Sequence, residues 1–388
     1  MKRYKWIFLI VISGVFYSCP GTSEEQLVGD WQLRADFPRS GRCHAATFVI
    51  DNKGYVIGGF NGSNQLRPEV ASFDHEAGVN GTWTELSDLP AHIPVRQQAV
   101  GFSLKKSDGK KYGYIGTGWC FLGANRDSTL RDFWQYNPES DTWEEAAPLP
   151  PTALRRRGAI AFSLRKGSNE YGFVGCGYTG EPEAEYLQDF WQFDPEGTTD
   201  GKIGQWTRIS GYGGGKRAGA AAFVIENKAY ICVGENPSII TDFWTFDPNV
   251  PETQQWKKLR QMTDANKAED YDDDYLGKLP RSFGVSYVAD VDGELRGHIV
   301  GGKSMQGSSP FTNWEYNHHP ISDGGDLWVQ RTHFFNNLQT SVREGMISFS
   351  FPNTGRAFVG MGKYGTAFMY DMWEFKPMIE DYTYDDNK

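Results

Sequence analysis

The chain has 388 residues, and its 49 acidic and 39 basic side chains give a formal net charge of −10 at neutral pH. A surface that binds nucleic acid needs an excess of positive charge, so the composition argues against nucleic acid as a partner. The 45 glycines and the aromatic content of 15% are typical of a β-rich protein with many turns.

The first residues predict an export signal. Three basic side chains within the first five positions precede an apolar run, Trp6 to Phe16, that is too short to span a bilayer. Cys19 follows the small residue Ser18. This pattern resembles a bacterial lipoprotein signal, in which Cys19 is acylated and becomes the mature N-terminus. Ordinary cleavage nearby, with Cys19 as a plain thiol, is the alternative.

The signal implies a location in the cell envelope. We expect a signal peptide at 1–18 and a lipidated tether at 19–28, where Glu24 and Glu25 resemble the acidic tether of surface lipoproteins in the Bacteroidetes. No other apolar run approaches the ~20 residues of a membrane helix. We therefore expect a lipid-anchored protein, in the outer membrane of a Gram-negative bacterium, on either its periplasmic or its surface side.

An internal repeat fills the rest of the chain. In each copy a glycine closes a short apolar run, and the copies lie 58, 59, 59, 67 and 59 residues apart. Six copies at a near-constant period are the signature of a repeat architecture. The six aligned glycines are Gly58, Gly116, Gly175, Gly234, Gly301 and Gly360.

Each copy has four parts, which we interpret as four short strands. An arginine precedes an aromatic residue by six positions. The glycine run, an aromatic strand such as DFWQYNP at 132–138 and a tryptophan strand such as that of Trp143 then follow. Four short strands separated by turn residues predict one propeller blade. The sequence therefore predicts an all-β, six-bladed β-propeller at 29–377 and a disordered acidic tail at 378–388.

The last copy lacks its tryptophan strand, and the other end of the chain supplies a candidate for it. GDWQLRADFP at Gly29–Pro38 matches the pattern of GTWTELSDLP at Gly81–Pro90. We predict that the N-terminal segment forms the outer strand of the last blade. This pairing would close the ring and remove its open seam.

The glycine runs, the aromatic strand and the spaced tryptophan resemble the kelch family over about Gly29 to Pro377. In this alignment the second glycine of the kelch doublet is kept only at two copies, and four other residues replace it elsewhere. The kept glycines are Gly59 and Gly302, and the replacements are Thr117, Cys176, Glu235 and Met361. Kelch propellers serve both as enzymes and as binding modules, so the fold leaves the function open.

Strand order predicts that six arginines surround one mouth of the central channel. Arginine offers forked donors to a carboxylate, a sulfate or a phosphate, so these residues are candidate ligand-binding residues. The alternative is that they bond to backbone carbonyls or to acids of the scaffold. The arginines are Arg42, Arg96, Arg156, Arg217, Arg281 and Arg343.

Loops on the same face carry further candidates. Trp119 and Tyr178 would form an aromatic wall, and Glu235 is expected to project into the mouth. The resemblance also implies a possible activity, because exported bacterial kelch propellers include sialic acid epimerases, or mutarotases. Arg217 and Glu235 are the candidates for carboxylate binding and proton transfer in that case.

No metal or cofactor is predicted. A copper oxidase like galactose oxidase needs histidine ligands that the seven histidines do not place together. Four cysteines lack zinc-site spacing, and we expect free buried thiols. The acidic segment Arg260–Pro280 lacks the glycine and final glutamate of an EF-hand, which argues against a calcium loop. We expect a solvated acidic loop, and a lid over the arginine mouth is the alternative. The cysteines are Cys43, Cys120, Cys176 and Cys232.

We therefore predict a cell-envelope lipoprotein whose propeller binds a partner protein or an acidic glycan at the arginine-lined mouth. An enzyme of the sialic acid epimerase type is the alternative.

Overall fold

The computed structural model describes residues 27–62, 65–121, 127–180, 183–263, 275, 278–304, 311–334 and 343–379. Within these ranges the strands form six four-stranded antiparallel units in chain order. The inner strands of consecutive units contact each other, and the inner strand of the last contacts that of the first. This arrangement confirms the predicted all-β propeller.

Each blade runs from an inner strand beside the channel to an outer strand at the rim. Blade 1 is Ala46–Ile50, Lys53–Ile57, Val70–Asp74 and Thr82–Glu85. Blade 2 is Val100–Lys105, Lys111–Gly116, Phe133–Asn137 and Thr142–Ala146. Blade 3 is Ile160–Lys166, Asn169–Gly175, Phe190–Thr199 and Lys202–Ile209. A bridge between Ala146 and Ile203 joins the outer strands of blades 2 and 3.

The second half of the chain repeats the pattern. Blade 4 is Ala221–Ile225, Lys228–Cys232, Phe243–Phe246 and Trp256–Lys258. Blade 5 is Val285–Val291, Glu294–Val300, Asn313–Asn317 and Leu327–Arg331. Blade 6 is Ile347–Phe351, Arg356–Gly360, Met372–Lys376 and, as its outer strand, Asp30–Leu33.

Short ladders and turns complete the described elements. The two-stranded ladders pair Trp119–Phe121 with Asp127–Thr129, Glu235–Asn236 with Ser238–Ile239, Arg281–Ser282 with Lys303–Ser304, and Lys363–Tyr364 with Ala367–Phe368. Two 3₁₀ helices lie at Glu252–Gln254 and Ile321–Asp323. No helix in the described ranges has the length and apolar character needed to cross a membrane.

The N-terminal segment closes the ring as the sequence predicts. Asp30–Leu33 runs antiparallel to Met372–Lys376, with Trp31 opposite Phe375. The Trp31 side chain is buried, and its indole N–H donates to the carbonyl of Thr332 at 3.1 Å. The first and last parts of the propeller are therefore held together by a strand pairing and by a buried aromatic side chain.

The core lies between neighbouring blades. In blades 1 to 5 the aromatic residue of the inner strand stacks on an aromatic side chain of the second strand, as Phe48 does on Tyr55 at 5.1 Å between ring centroids. The same Phe48 ring also faces Gly113 of the next blade, where a Cβ atom would overlap it. Gly172 faces Phe102 in the same way. The strand glycines thus make room for the aromatic ring of the preceding blade.

The four cysteines beyond residue 26 are buried, and Cys43, Cys176 and Cys232 are free thiols, as expected. Burial raises the pKa of the Cys176 thiol to about 12, so the thiol stays protonated at neutral pH.

Blade 5 carries a histidine where the other blades place Tyr or Phe in the stack. His298 is fully buried and lies flat against Tyr287 at 4.7 Å. Neither of its ring nitrogens has a hydrogen-bond partner among the described residues. A buried polar group without a partner costs about 1–3 kcal/mol.

Replacing His298 by phenylalanine is therefore expected to raise the free energy of unfolding by about 1–3 kcal/mol. Burial lowers the pKa of His298 well below its usual value of 6.5, so only the unfolded chain takes up this proton as the pH falls below about 6.5. The gain should be larger at pH 5.5 than at pH 7.5. Urea unfolding at both pH values tests this, with exposed His92→Phe as the control. A lower unfolding midpoint in the His298 variant would contradict the prediction.

Candidate functional site

The glycine doublets define the mouth, and the structure corrects their alignment. The second glycine is kept in all six blades, with φ between +89° and +107°. Only glycine adopts such angles readily. It is the first position that varies, and its φ of +54° to +70° lies in the left-handed region, where glycine is favoured but other residues also occur. The six pairs are Gly58–Gly59, Thr117–Gly118, Cys176–Gly177, Val233–Gly234, Gly301–Gly302 and Met361–Gly362.

Glu235 is consequently not a glycine replacement. It follows the doublet, at the position that Phe60, Trp119, Tyr178, Lys303 and Lys363 occupy in the other blades. This position pairs in every blade with the residue after the conserved arginine, as in Gln97 with Trp119 and Arg157 with Tyr178. Two residues per blade, one from each side of the pairing, therefore surround the channel opening.

The six arginines themselves lie inside the blades. Each is at most 2% exposed. Each Nη1 donates to the carbonyl at the first doublet position, at 2.9 to 3.3 Å. In blades 2, 3, 4 and 6 the aspartate that opens the aromatic strand accepts from the guanidinium. Glu69 and Thr312 take its place in blades 1 and 5.

This geometry matches the structural alternative, in which the arginines bond to carbonyls and scaffold acids. A buried guanidinium of this kind presents no exposed donor to a ligand. Ligand binding by these six side chains stays a prediction.

A closed ring of backbone hydrogen bonds lies at the channel axis, two residues after each arginine. The N–H at this position donates to the equivalent carbonyl of the preceding blade at 2.7 to 3.2 Å, and the last bond returns to the first blade. All six residues have positive φ, between +53° and +64°. We call them the axial ring: His44, Gln98, Gly158, Gly219, Phe283 and Gly345.

Three members of the axial ring carry side chains. The rings of His44 and Phe283 meet edge to face at 5.6 Å between centroids. A Cβ on Gly345 would lie 2.7 Å from the His44 ring, and one on Gly219 would lie 2.8 Å from the Phe283 ring. The glycines therefore leave the space that these two rings occupy. With Gln98 the rings line a cavity at the mouth.

Arg157 faces this mouth and has no counter-ion among the residues that the structure describes. It is half-buried, and its guanidinium lies over the rings of Tyr178 and Trp119, at 5.5 and 6.0 Å from their centroids. Its guanidinium makes no ion pair or hydrogen bond with any residue that the structure describes. A partly desolvated guanidinium held between aromatic rings is a strong site for a carboxylate.

The opposite side of the mouth carries two lysines and one acid. Lys303 and Lys363 reach the carboxylate of Glu344 at 2.8 and 2.7 Å. Burial would raise the pKa of Glu344, but the two lysines hold it below its usual value. One carboxylate offsets only one of the two ammonium charges. In the neighbouring blade the Glu235 carboxylate accepts a hydrogen bond from Ser282, the residue paired with Lys303, at 2.6 Å.

The mouth thus differs in charge from the rest of the protein. Arg157, Lys303 and Lys363 stand against Glu235 and Glu344, three positive charges against two negative, on a chain whose net charge is −10. Burial lowers the pKa of His44 to about 4, so its ring is neutral at pH 7. Among the described residues no cluster of His, Cys, Asp or Glu is placed to hold a metal ion.

The predicted site residues divide into two groups. Trp119, Tyr178 and Glu235 all lie at the mouth, whereas Arg217 is buried and bonded to Asp242. Sequence reasoning missed Arg157 and the axial ring. The signal was present, since residue 157 lies one position after a repeat arginine and residues 44, 98 and 283 lie two positions after one. Cys19, most of the acidic segment 260–280 and most of the tail lie outside the described residues.

Comparisons with known proteins agree with the repeat. A kelch motif matches residues 41–90. Human Kelch-like protein 33 is 29% identical over 171 residues, which are 43% of this chain and 27% of that protein. A solved structure described as "Structure of YjhT" covers 87% of this chain and 96% of its own, with a TM-score of 0.62 and 14% identity, a likeness of fold alone. The matched motif and the human relative show that the chain is similar to kelch-repeat proteins, and the sheet arrangement agrees with this similarity.

Proposed function

We propose that this protein is a binding module of the cell envelope that holds a carboxylate-bearing ligand at the channel mouth. The ligand is presented by an acidic glycan or by a partner protein. The observation that carries the proposal is Arg157, a half-buried guanidinium over two aromatic rings with no acid to neutralise it among the described residues. Burying a charge in this way is costly unless it is paired, and a ligand carboxylate would supply the pair.

The position of the N-terminal strand supports a lipid anchor on the opposite side of the molecule. Asp30 pairs with Lys376 at one end of Met372–Lys376, the third strand of blade 6. At the other end of this strand, Asp371 binds Arg343 beside the mouth. The chain therefore enters the propeller at the face remote from Arg157. Eight Cα–Cα steps lead from Cys19 to Leu27 and reach at most about 28 Å. An anchor at Cys19 would leave the mouth open to ligands away from the membrane.

Replacing Arg157 by alanine is expected to weaken binding of acidic ligands about 10- to 100-fold, the effect of losing hydrogen bonds between charged groups. Calorimetric titration of residues 24–388 with D-glucuronate, N-acetylneuraminate and a tetraglutamate peptide measures this. Binding of the parent should weaken as salt rises. Arg155→Ala is the matched control, because among the described residues exposed Arg155 makes only a long hydrogen bond to the Thr129 carbonyl, at 3.4 Å.

The probes also separate the two ligand sources. Binding of the sugars favours a glycan, and binding of the peptide alone favours a partner protein. Equal affinity of the parent and the Arg157 variant for every probe would overturn the site.

For the anchor, Cys19→Ser should abolish radiolabelled palmitate incorporation in cells and move the protein out of the membrane fraction.

A further inference from the structure

Three of the six positions of the axial ring carry a residue other than glycine. Every member is held at φ between +53° and +64°, and three blades use glycine there. The other three use His44, Gln98 and Phe283. A side chain costs free energy in this left-handed conformation, and the cost is greatest for bulky residues. Residues other than glycine in such conformations are frequent at functional sites, although the first doublet position shows that the blades also hold them for structural reasons.

These three side chains share one surface. All of them line the mouth cavity, together with Lys303, Glu344 and other neighbours. Neither the His44 ring nor the Gln98 amide makes a side-chain hydrogen bond within the described residues, so both can donate to or accept from a ligand. The Lys303 ammonium group lies over the Phe283 ring, 5.3 Å from its centroid, so a positive charge stands beside this aromatic ring.

The backbone hydrogen bonds of the axial ring do not depend on these three side chains. The backbone ring closes equally through Gly158, Gly219 and Gly345, so its hydrogen bonds do not need a side chain. All three are only partly buried, in contrast to the aromatic residues that fill the space between blades. The fold therefore tolerates glycine at this position, and a retained side chain points to contact with something in the mouth.

We infer that His44, Gln98 and Phe283 form the floor of the ligand site, and that an acidic sugar residue enters end-on along the channel axis. This inference rests on the proposed function and adds its geometry. The carboxylate of the sugar residue lies at Arg157, its ring packs on Phe283, and its hydroxyl groups bond to Gln98 and His44. A floor narrowed by the closed hydrogen-bond ring suits one terminal residue better than a broad protein surface.

Three variants test the inference, and each places glycine where other blades of the same chain already have it. His44→Gly, Gln98→Gly and Phe283→Gly each install the residue that three other blades already use. Each variant is expected to bind D-glucuronate or N-acetylneuraminate at least tenfold more weakly than the parent. Its melting temperature should be unchanged or higher, because glycine relieves the left-handed backbone. Calorimetry and thermal unfolding on the same samples give both values.

The outcomes separate this inference from the proposed function. If Arg157→Ala loses affinity and the glycine variants keep it, the axial floor is wrong and the binding module stands. If all four variants keep full affinity, both are wrong. Binding of the tetraglutamate peptide without either sugar acid overturns the end-on sugar and leaves a protein partner. Loss of affinity together with a lower melting temperature assigns the three side chains to the scaffold and also overturns the floor.

Discussion

Replacing Arg156 by alanine is expected to lower the free energy of unfolding by about 3–5 kcal/mol, because it removes one partner of a buried ion pair. Arg156 is fully buried, and its Nη1 and Nη2 donate to the two carboxylate oxygens of Asp189, each at 2.8 Å. The same guanidinium donates to the carbonyls of Cys176 and Leu154 at 3.2 and 3.1 Å. Urea unfolding at neutral pH, followed by tryptophan fluorescence, measures the loss.

Arg157→Ala is the matched control for this experiment. It removes the same charge one residue further on, where the guanidinium makes only aromatic contacts among the described residues. Because this half-buried charge has no counter-ion there, its removal should leave the free energy of unfolding unchanged or slightly higher. The two neighbouring arginines are thus expected to separate, with stability depending on Arg156 and binding on Arg157. Equal stability of the two variants would mean that the repeat arginines do not hold the blades.

Replacing Glu374 by glutamine is expected to lower the free energy of unfolding by a similar amount, because this residue holds the N-terminal segment that closes the ring. The Glu374 carboxylate is almost fully buried and receives Arg356, Lys376 and Arg34, of which Arg34 comes from the N-terminal segment. Glutamine keeps the size of the side chain but leaves three cations without their acid. We expect a loss of about 3–5 kcal/mol in the free energy of unfolding.

The same cluster sets a pH dependence. Burial alone would raise the pKa of Glu374, but Arg356, Lys376 and Arg34 lower it from 4.5 to about 2. Since the pKa in the folded state lies below that in the unfolded state, the carboxylate contributes its full stability above about pH 4.5. That contribution, about 3 kcal/mol, is lost as the pH falls toward 2.

Unfolding free energies of the parent and of Glu374→Gln, measured between pH 7 and pH 3, check this dependence. The difference between them should shrink toward the acid end. The control is Glu139→Gln, in which an exposed surface pair with Lys110 is removed. A constant difference across this range would show that the carboxylate does not titrate with folding.

The repeat was readable from the sequence because each blade buries the same elements in the same order. An aromatic inner strand, an apolar run ending at glycine and a tryptophan strand recur because neighbouring blades fill identical spaces between them. The N-terminal strand was predicted for the same reason, since Gly29–Pro38 carries the pattern that the last copy lacks. These are local patterns that packing repeats six times.

The exact doublet could not be aligned in this way. The repeats were aligned on Gly116, Gly175 and Gly360 because these residues end the apolar runs. In the structure they belong to strands. The residues that turn the chain are Gly118, Gly177 and Gly362, which have φ near +90° or above. When two glycines lie two positions apart, the sequence alone does not show which of them has such a backbone angle.

The sequence by itself determined the fold class, the number of repeats and the strand that closes the ring, because all three follow from which residues are buried against which. Only the tertiary structure decided which cations face the mouth. Arg156 and Arg157 are adjacent and chemically alike, yet alternation along the chain buries the first against Asp189 and turns the second toward the channel. Six separate blades must meet around one axis before His44, Gln98 and Phe283 share a cavity.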